Sequence, residues 1–181
     1  MNIPNVLTFI RLLLVPLFAY CMYREQYFIA GIIFLTAGAT DILDGYIARK
    51  LHQVTSWGKI ADPLSDKLMQ ATALVLLTFN HLIPLFVVVI VIAKEVFMGL
   101  GAFVVYRKSN IVVSSSIYGK VATVAFYIAI IFILIFKMLD YNNMSTHIIV
   151  SLLLSIAVSS TLTAVIMYFI KYKSYAKIYS A

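Results

Sequence analysis

Residues 41–66 read "DILDGYIARKLHQVTSWGKIADPLSD". This stretch holds Asp41, Asp44, Asp62 and Asp66, four of the chain's seven acidic residues, between segments that are almost uniformly apolar. Asp41 and Asp44 are three apart and fall on one face of a helix. Asp62 and Asp66 are four apart and do the same at the start of the next apolar segment. The short connection between the two pairs makes their helices antiparallel neighbours, so both acidic faces can converge at one end.

The surroundings define the medium. Of the 181 residues, 63% are hydrophobic and 12% charged, against about 25% charged in a soluble domain. Mean hydropathy is +1.00. So much apolar surface excludes a water-soluble domain and indicates one integral membrane domain over residues 1–181. The net charge of +7 is read as Lys and Arg meeting anionic headgroups on the cytoplasmic side, with no nucleic-acid partner expected. Cys21 is the single cysteine, so no intrachain disulfide can form. No basic region precedes the first apolar stretch, and the N-terminus is read as mature sequence.

A spanning helix needs about 20 apolar residues. Six segments qualify, at roughly 5–23, 27–48, 60–79, 82–106, 117–139 and 146–171. The fold class expected is therefore an all-α integral membrane protein with six transmembrane helices. Arg49, Lys50, Lys59, Arg107, Lys108, Lys120, Lys171, Lys173 and Lys177 fall on one side, and only Arg24 and Lys137 on the other. The positive-inside rule then puts both termini, the acidic cluster and the 49–59 and 107–116 loops in the cytoplasm. "NIPNVLTFIRLL" carries Asn2, Asn5, Thr8 and Arg11 at three-residue spacing. This pattern suggests a short N-terminal amphipathic helix in the interface before the first span. Glu25, His81, Asp140 and His147 read as solvated loop residues, and His52 lies in the loop between the acid pairs.

Four carboxylates near a membrane repel one another and resist desolvation. Divalent cations are the simplest remedy, and hard oxygen ligands select Mg²⁺, Mn²⁺ or Ca²⁺. Helix capping would account for Asp62. It would not account for Asp41 and Asp44, at a helix C-terminal end where the dipole disfavours anions. Gly45, inside a helix, suits close approach of a ligand or of another helix. Arg49 is placed for a phosphate.

The pattern Asp41-x-x-Asp44-Gly45-x-x-Ala48-Arg49, eight residues, Gly58-x-x-x-Asp62-x-x-x-Asp66 resembles the signature of the CDP-alcohol phosphatidyltransferases, with all eight positions filled at the family's spacing. The opening "NIPNVLTFIR" resembles the branch that uses glycerol-3-phosphate. The resemblance implies a metal-dependent enzyme that displaces CMP from CDP-diacylglycerol with an alcohol. It implies that Asp41, Asp44 and Asp62 hold two divalent ions, Mg²⁺ or Mn²⁺. Asp66 would complete that site and serve as the general base. Gly45, Ala48, Arg49 and Gly58 would line the CDP site, with Asn5 and Thr8 contributing from the N-terminal segment. Such enzymes are commonly homodimers in the cell membrane.

The acceptor region departs from the branch pattern. The glycerol-3-phosphate branch typically carries Arg-Glu in the fourth span, an Arg two turns later and Gly-Lys-x-Lys-Thr opening the fifth. This chain has Lys94-Glu95, then Ala102, then "GKVAT", with Lys120 kept and Ala122 in the later position. Lys94, Arg107 and Lys120 are the candidates for holding an acceptor phosphate. Glycerol-3-phosphate is the acceptor expected. The alternatives are phosphatidylglycerol, giving cardiolipin, and, from a different class, a divalent-cation transporter. A transporter would need acids near mid-span on both leaflets.

Overall fold

Backbone in lipid must satisfy its own hydrogen bonds, so apolar runs of membrane length become helices. The computed structural model describes residues 3–50, 58–109, 117–141 and 143–179, and the side chains of these except 3–5, 42, 44–50, 58–60, 102–109 and 171–179. The described residues form α1 (Ile3–Tyr23), α2 (Tyr27–Lys50), α3 (Gly58–Phe79), α4 (Leu85–Ser109), α5 (Ile117–Met138) and α6 (Met144–Tyr179), with no strand among them. His52 lies outside the described residues.

Among the described residues, three stretches are long and apolar enough to cross a bilayer: Val6–Tyr23, Ile117–Met138 and Met144–Ile170. The chain is thus an all-helical membrane protein. The other helices carry charged or polar side chains among their apolar ones. Among the described residues α2 holds a shorter apolar stretch, Tyr27–Asp41. Lys59, Asp62, Asp66 and Lys67 lie in α3, and Lys94 and Glu95 lie inside α4.

The N-terminal expectation needs correcting. Among the described residues no separate interfacial helix precedes the first span, because α1 runs unbroken from Ile3 to Tyr23. Thr8 and Arg11 are buried, while Phe9, Leu13, Leu17 and Tyr20 are exposed. The polar stripe faces protein and the apolar stripe faces outward, the reverse of a helix resting on a water-facing surface.

The helices form two compact units. In the first, comprising 1–83 and 130–142, α1 packs against both α2 and α3, and α2 meets α3 chiefly through it. α1 and α2 are antiparallel: Phe18 stacks on Phe34 with ring centroids 5.7 Å apart, and Arg11 meets Asp41. α1 and α3 are parallel, with Thr8 and Arg11 against Asp62 and Ser65 at one end. At the other end the Asn80 amide donates to the Met22 carbonyl at 3.1 Å. Met22, Met69, Ala73, Leu74 and Leu77 fill the core between.

In the second unit, 84–129 and 143–181, α4 packs on α6. Leu154, Ala157, Thr161, Ala164 and Tyr168 form a buried stripe on α6 at alternating three- and four-residue spacing. The Tyr168 hydroxyl donates to the Met98 carbonyl at 3.2 Å, and its ring lies over Gly101.

Three odd-numbered helices end alike. Glu25, His81 and Asp140 take φ of 56°, 56° and 53°. The following amides, of Gln26, Leu82 and Tyr141, donate to the carbonyls of Cys21, Leu77 and Phe136. These are Schellman caps with a non-glycine residue in the left-handed position, so Glu25, His81 and Asp140 close helices rather than filling loops. His147 lies in the first turn of α6 instead of the loop. There the Asn143 side chain accepts from the Thr146 amide at 3.0 Å, and the Asn143 amide donates to the Thr146 hydroxyl at 3.2 Å. This reciprocal cap starts α6 slightly earlier than the apolar pattern indicates.

Candidate active site at the start of α3

The parallel packing of α1 on α3 places residues three apart on each helix opposite one another. The Thr8 hydroxyl donates to Asp62 Oδ1. One turn along, Arg11 Nη1 donates to the Ser65 hydroxyl at 3.0 Å, and Ser65 donates in turn to the Asp62 backbone carbonyl at 2.9 Å. The same Nη1 lies 2.9 Å from Asp41 Oδ1 on α2. One nitrogen therefore ties three helices together. Arg11 is 1% exposed and Asp41 43%, so the cation is sequestered while its carboxylate partner stays accessible.

Asp41, Asp62 and Asp66 thus stand at one end of the first unit. Asp62 and Asp66 both repel Asp41 electrostatically. Asp44 follows one turn after Asp41 on α2, and its side chain lies outside those described, as do those of Asn5, Ala48 and Arg49. Gly45 belongs to α2, and Gly58 is the first residue of α3. Among the described residues no three acidic or imidazole groups form a cation cage by themselves. The described donors are all hard carboxylate and hydroxyl oxygens, the chemistry that fits Mg²⁺ or Mn²⁺.

Two members of this network were not assigned a role from sequence. Arg11 was visible as part of a polar stripe, but the spacing of a stripe does not show which way it faces. Ser65 carried no signal beyond its position one residue before Asp66.

The acceptor candidates belong to the second unit. Lys94 is 5% exposed and forms an ion pair with its neighbour Glu95 at 2.6 Å. Lys120 is exposed in the first turn of α5. The side chains of Arg107 and Ala102 lie outside those described, and Ala122 is fully buried.

The chain matches the family model for CDP-alcohol phosphatidyltransferase over residues 1–169. It is similar to a CDP-diacylglycerol–glycerol-3-phosphate 3-phosphatidyltransferase of Bacillus subtilis, 35% identical over 144 residues, 71% of this chain and 74% of the relative. A protein of the same name from Pseudomonas fluorescens is 51% identical over 84 residues, 45% of this chain and 43% of that one. A human cardiolipin synthase (CMP-forming) is 38% identical over 108 residues, 59% of this chain and 36% of the relative. With the eight signature residues in place on α2 and α3 and a family match over most of its length, the chain belongs to the CDP-alcohol phosphatidyltransferase family.

Proposed function

We propose that this protein transfers the phosphatidyl group of CDP-diacylglycerol to glycerol-3-phosphate, releasing CMP and forming phosphatidylglycerophosphate. The observation that carries this reading is the complete aspartate signature in a chain whose relatives from Bacillus subtilis and Pseudomonas fluorescens bear the name of that activity.

In this reading Asp41, Asp44, Asp62 and Asp66 hold two divalent ions, Mg²⁺ or Mn²⁺. Bound ions neutralise diphosphate charge and make CMP a better leaving group. Gly45, Ala48, Arg49 and Gly58 line the CDP pocket, with Asn5 and Thr8 beside them. Lys94, Arg107 and Lys120 attract the acceptor's phosphate. Asp66 takes the proton from the acceptor hydroxyl. The oxygen so freed forms a bond to the phosphorus that bears diacylglycerol, and the bond from that phosphorus to the CMP oxygen breaks. Positioning and electrostatics supply most of the rate in such transfers.

The reading treats residues 1–181 as one catalytic domain of six spans in the cell membrane. Both termini and the active site face the cytoplasm, and the protein works as a homodimer. The one-sided distribution of Lys and Arg supports the orientation. A site at the interface keeps the diacyl tails in lipid while CMP departs into water.

A second reading rests on Ala102 and Ala122, where the glycerol-3-phosphate branch carries cations, and on the similarity to human cardiolipin synthase. There phosphatidylglycerol replaces glycerol-3-phosphate as acceptor. Purified protein given CDP-diacylglycerol, Mg²⁺ or Mn²⁺ and either acceptor distinguishes the two. Radiolabelled glycerol-3-phosphate should enter the lipid product. Its absence, with phosphatidylglycerol converted, would establish the second reading. EDTA should abolish CMP release and added Mg²⁺ or Mn²⁺ restore it; undiminished turnover without metal would refute the ion-binding role of the aspartates.

A further inference from the structure

We infer that Arg11 is a positioning residue for the aspartate site: its guanidinium sets the orientation of Asp41 and the spacing of α2 from α3, and thereby raises the site's affinity for divalent cations. The inference rests on the proposed reading of the aspartates as cation ligands.

Three observations carry it. First, Arg11 is among the largest fully buried side chains, at 1% exposure. A buried cation is costly unless paired and hydrogen-bonded, so it is held for what it does there. Second, its position does not depend on Asp41 alone. Nη1 also donates to Ser65, which is anchored on the Asp62 carbonyl of the same helix. Third, α2 and α3 meet chiefly through α1. A tie from α1 to both helices at the acidic end is therefore the means by which their carboxylates are held at a fixed distance.

The chemistry follows from the geometry. Asp41, Asp62 and Asp66 repel one another, and without a tie their helices relax apart at that end. Arg11 holds Asp41 Oδ1 at 2.9 Å, which restricts the rotation of the carboxylate and would leave its other oxygen to a cation. Thr8 holds Asp62 in the same manner. A cation then meets ligands already oriented, and the cost of ordering them is met during folding.

A competing effect has the opposite sign. A positive charge beside a ligand repels an incoming cation, and simple electrostatics makes an Arg11-free site bind metal more tightly. Positioning and repulsion are thus distinguished by the direction of one measurement. Groups that orient metal ligands typically contribute about 10–100-fold in metal affinity.

The test is Mn²⁺ binding to the detergent-solubilised full-length protein, read by electron paramagnetic resonance of free Mn²⁺, without turnover. Arg11→Met should weaken binding by about 10–100-fold, and Arg11→Lys should recover part of the loss. Ser65→Ala, a small change suited to retaining the fold, should weaken binding in the same direction by less. Asp41→Asn reports on the site itself. Unchanged or tighter Mn²⁺ binding in folded Arg11→Met or Ser65→Ala, with Asp41→Asn impaired, overturns the inference and leaves the metal site standing. A wild-type protein that binds no Mn²⁺ overturns both.

Discussion

Asp66 stands one turn beyond Asp62 on α3, next to Ser65, and the two aspartates are expected to separate functionally. As a general base, Asp66 changed to Asn should keep CDP-diacylglycerol binding while losing about 10²–10⁴-fold in rate. Loss of lipid-nucleotide binding as complete as in Asp62→Asn would make Asp66 chiefly a cation ligand. Lys94 poses a parallel question in the second unit. A charge-assisted contact to phosphate contributes about 1.5–3 kcal/mol, or roughly 10–150-fold. Lys94→Ala should raise the KM for glycerol-3-phosphate by about that factor and leave that for CDP-diacylglycerol nearly unchanged. Equal rises in both would assign Lys94 to holding the fold. The pairing of Lys94 with Glu95 at 2.6 Å is seen in the structure, since neighbouring side chains on a helix do not face each other by spacing alone. The role of Arg11 was not legible in sequence. A stripe of polar residues on an apolar helix has the same periodicity whether it faces water or a neighbouring helix. Only the partners, Asp41 and Ser65, settle the direction, and they are remote in sequence.

Among the helices, the boundaries came from simple physics. Runs of about 20 apolar residues interrupted by charge or by Pro, Gly and Asn admit few alternatives in lipid. The caps were less legible, since Glu25, His81 and Asp140 are not the glycines that left-handed positions favour. Left-handed backbone costs a non-glycine residue on the order of 1 kcal/mol. His81→Gly should therefore raise thermal stability slightly in detergent, and a fall would show that the imidazole itself stabilises the turn. The α4–α6 contact gives a sharper contrast. A Cβ on Gly101 would lie 2.8 Å from the Tyr168 ring, whereas one on Gly99 would meet nothing within 4 Å. Gly101→Ala should cost about 1–3 kcal/mol, as overpacking does, and Gly99→Ala should be neutral or mildly stabilising. Equal unfolding temperatures for the two variants would mean that α6 shifts freely to admit the methyl group.

For the molecule as a whole, the proposed orientation has a direct check. Cys21 is the single cysteine and is buried, so a Cys21→Ser background supports single-cysteine mapping. In intact cells a membrane-impermeant maleimide should label His81→Cys and Asn143→Cys. Gln53→Cys and Ser115→Cys should react only after permeabilisation; the reverse pattern would invert the topology. The tie between the buried Arg11 and Asp41 also bears on biogenesis. α1 emerges from the ribosome before α2, carrying a charge whose carboxylate partner is not synthesised until the second half of α2. The smallest nascent segment in which that charge is matched is the α1–α2 hairpin, so the two helices should enter the bilayer as a pair. Chains truncated after Gln26 should integrate poorly in a translocon assay, and chains truncated after Lys50 should integrate well. Asp41→Asn in the longer chain should restore the poor integration; if it does not, the first helix inserts on hydrophobicity alone.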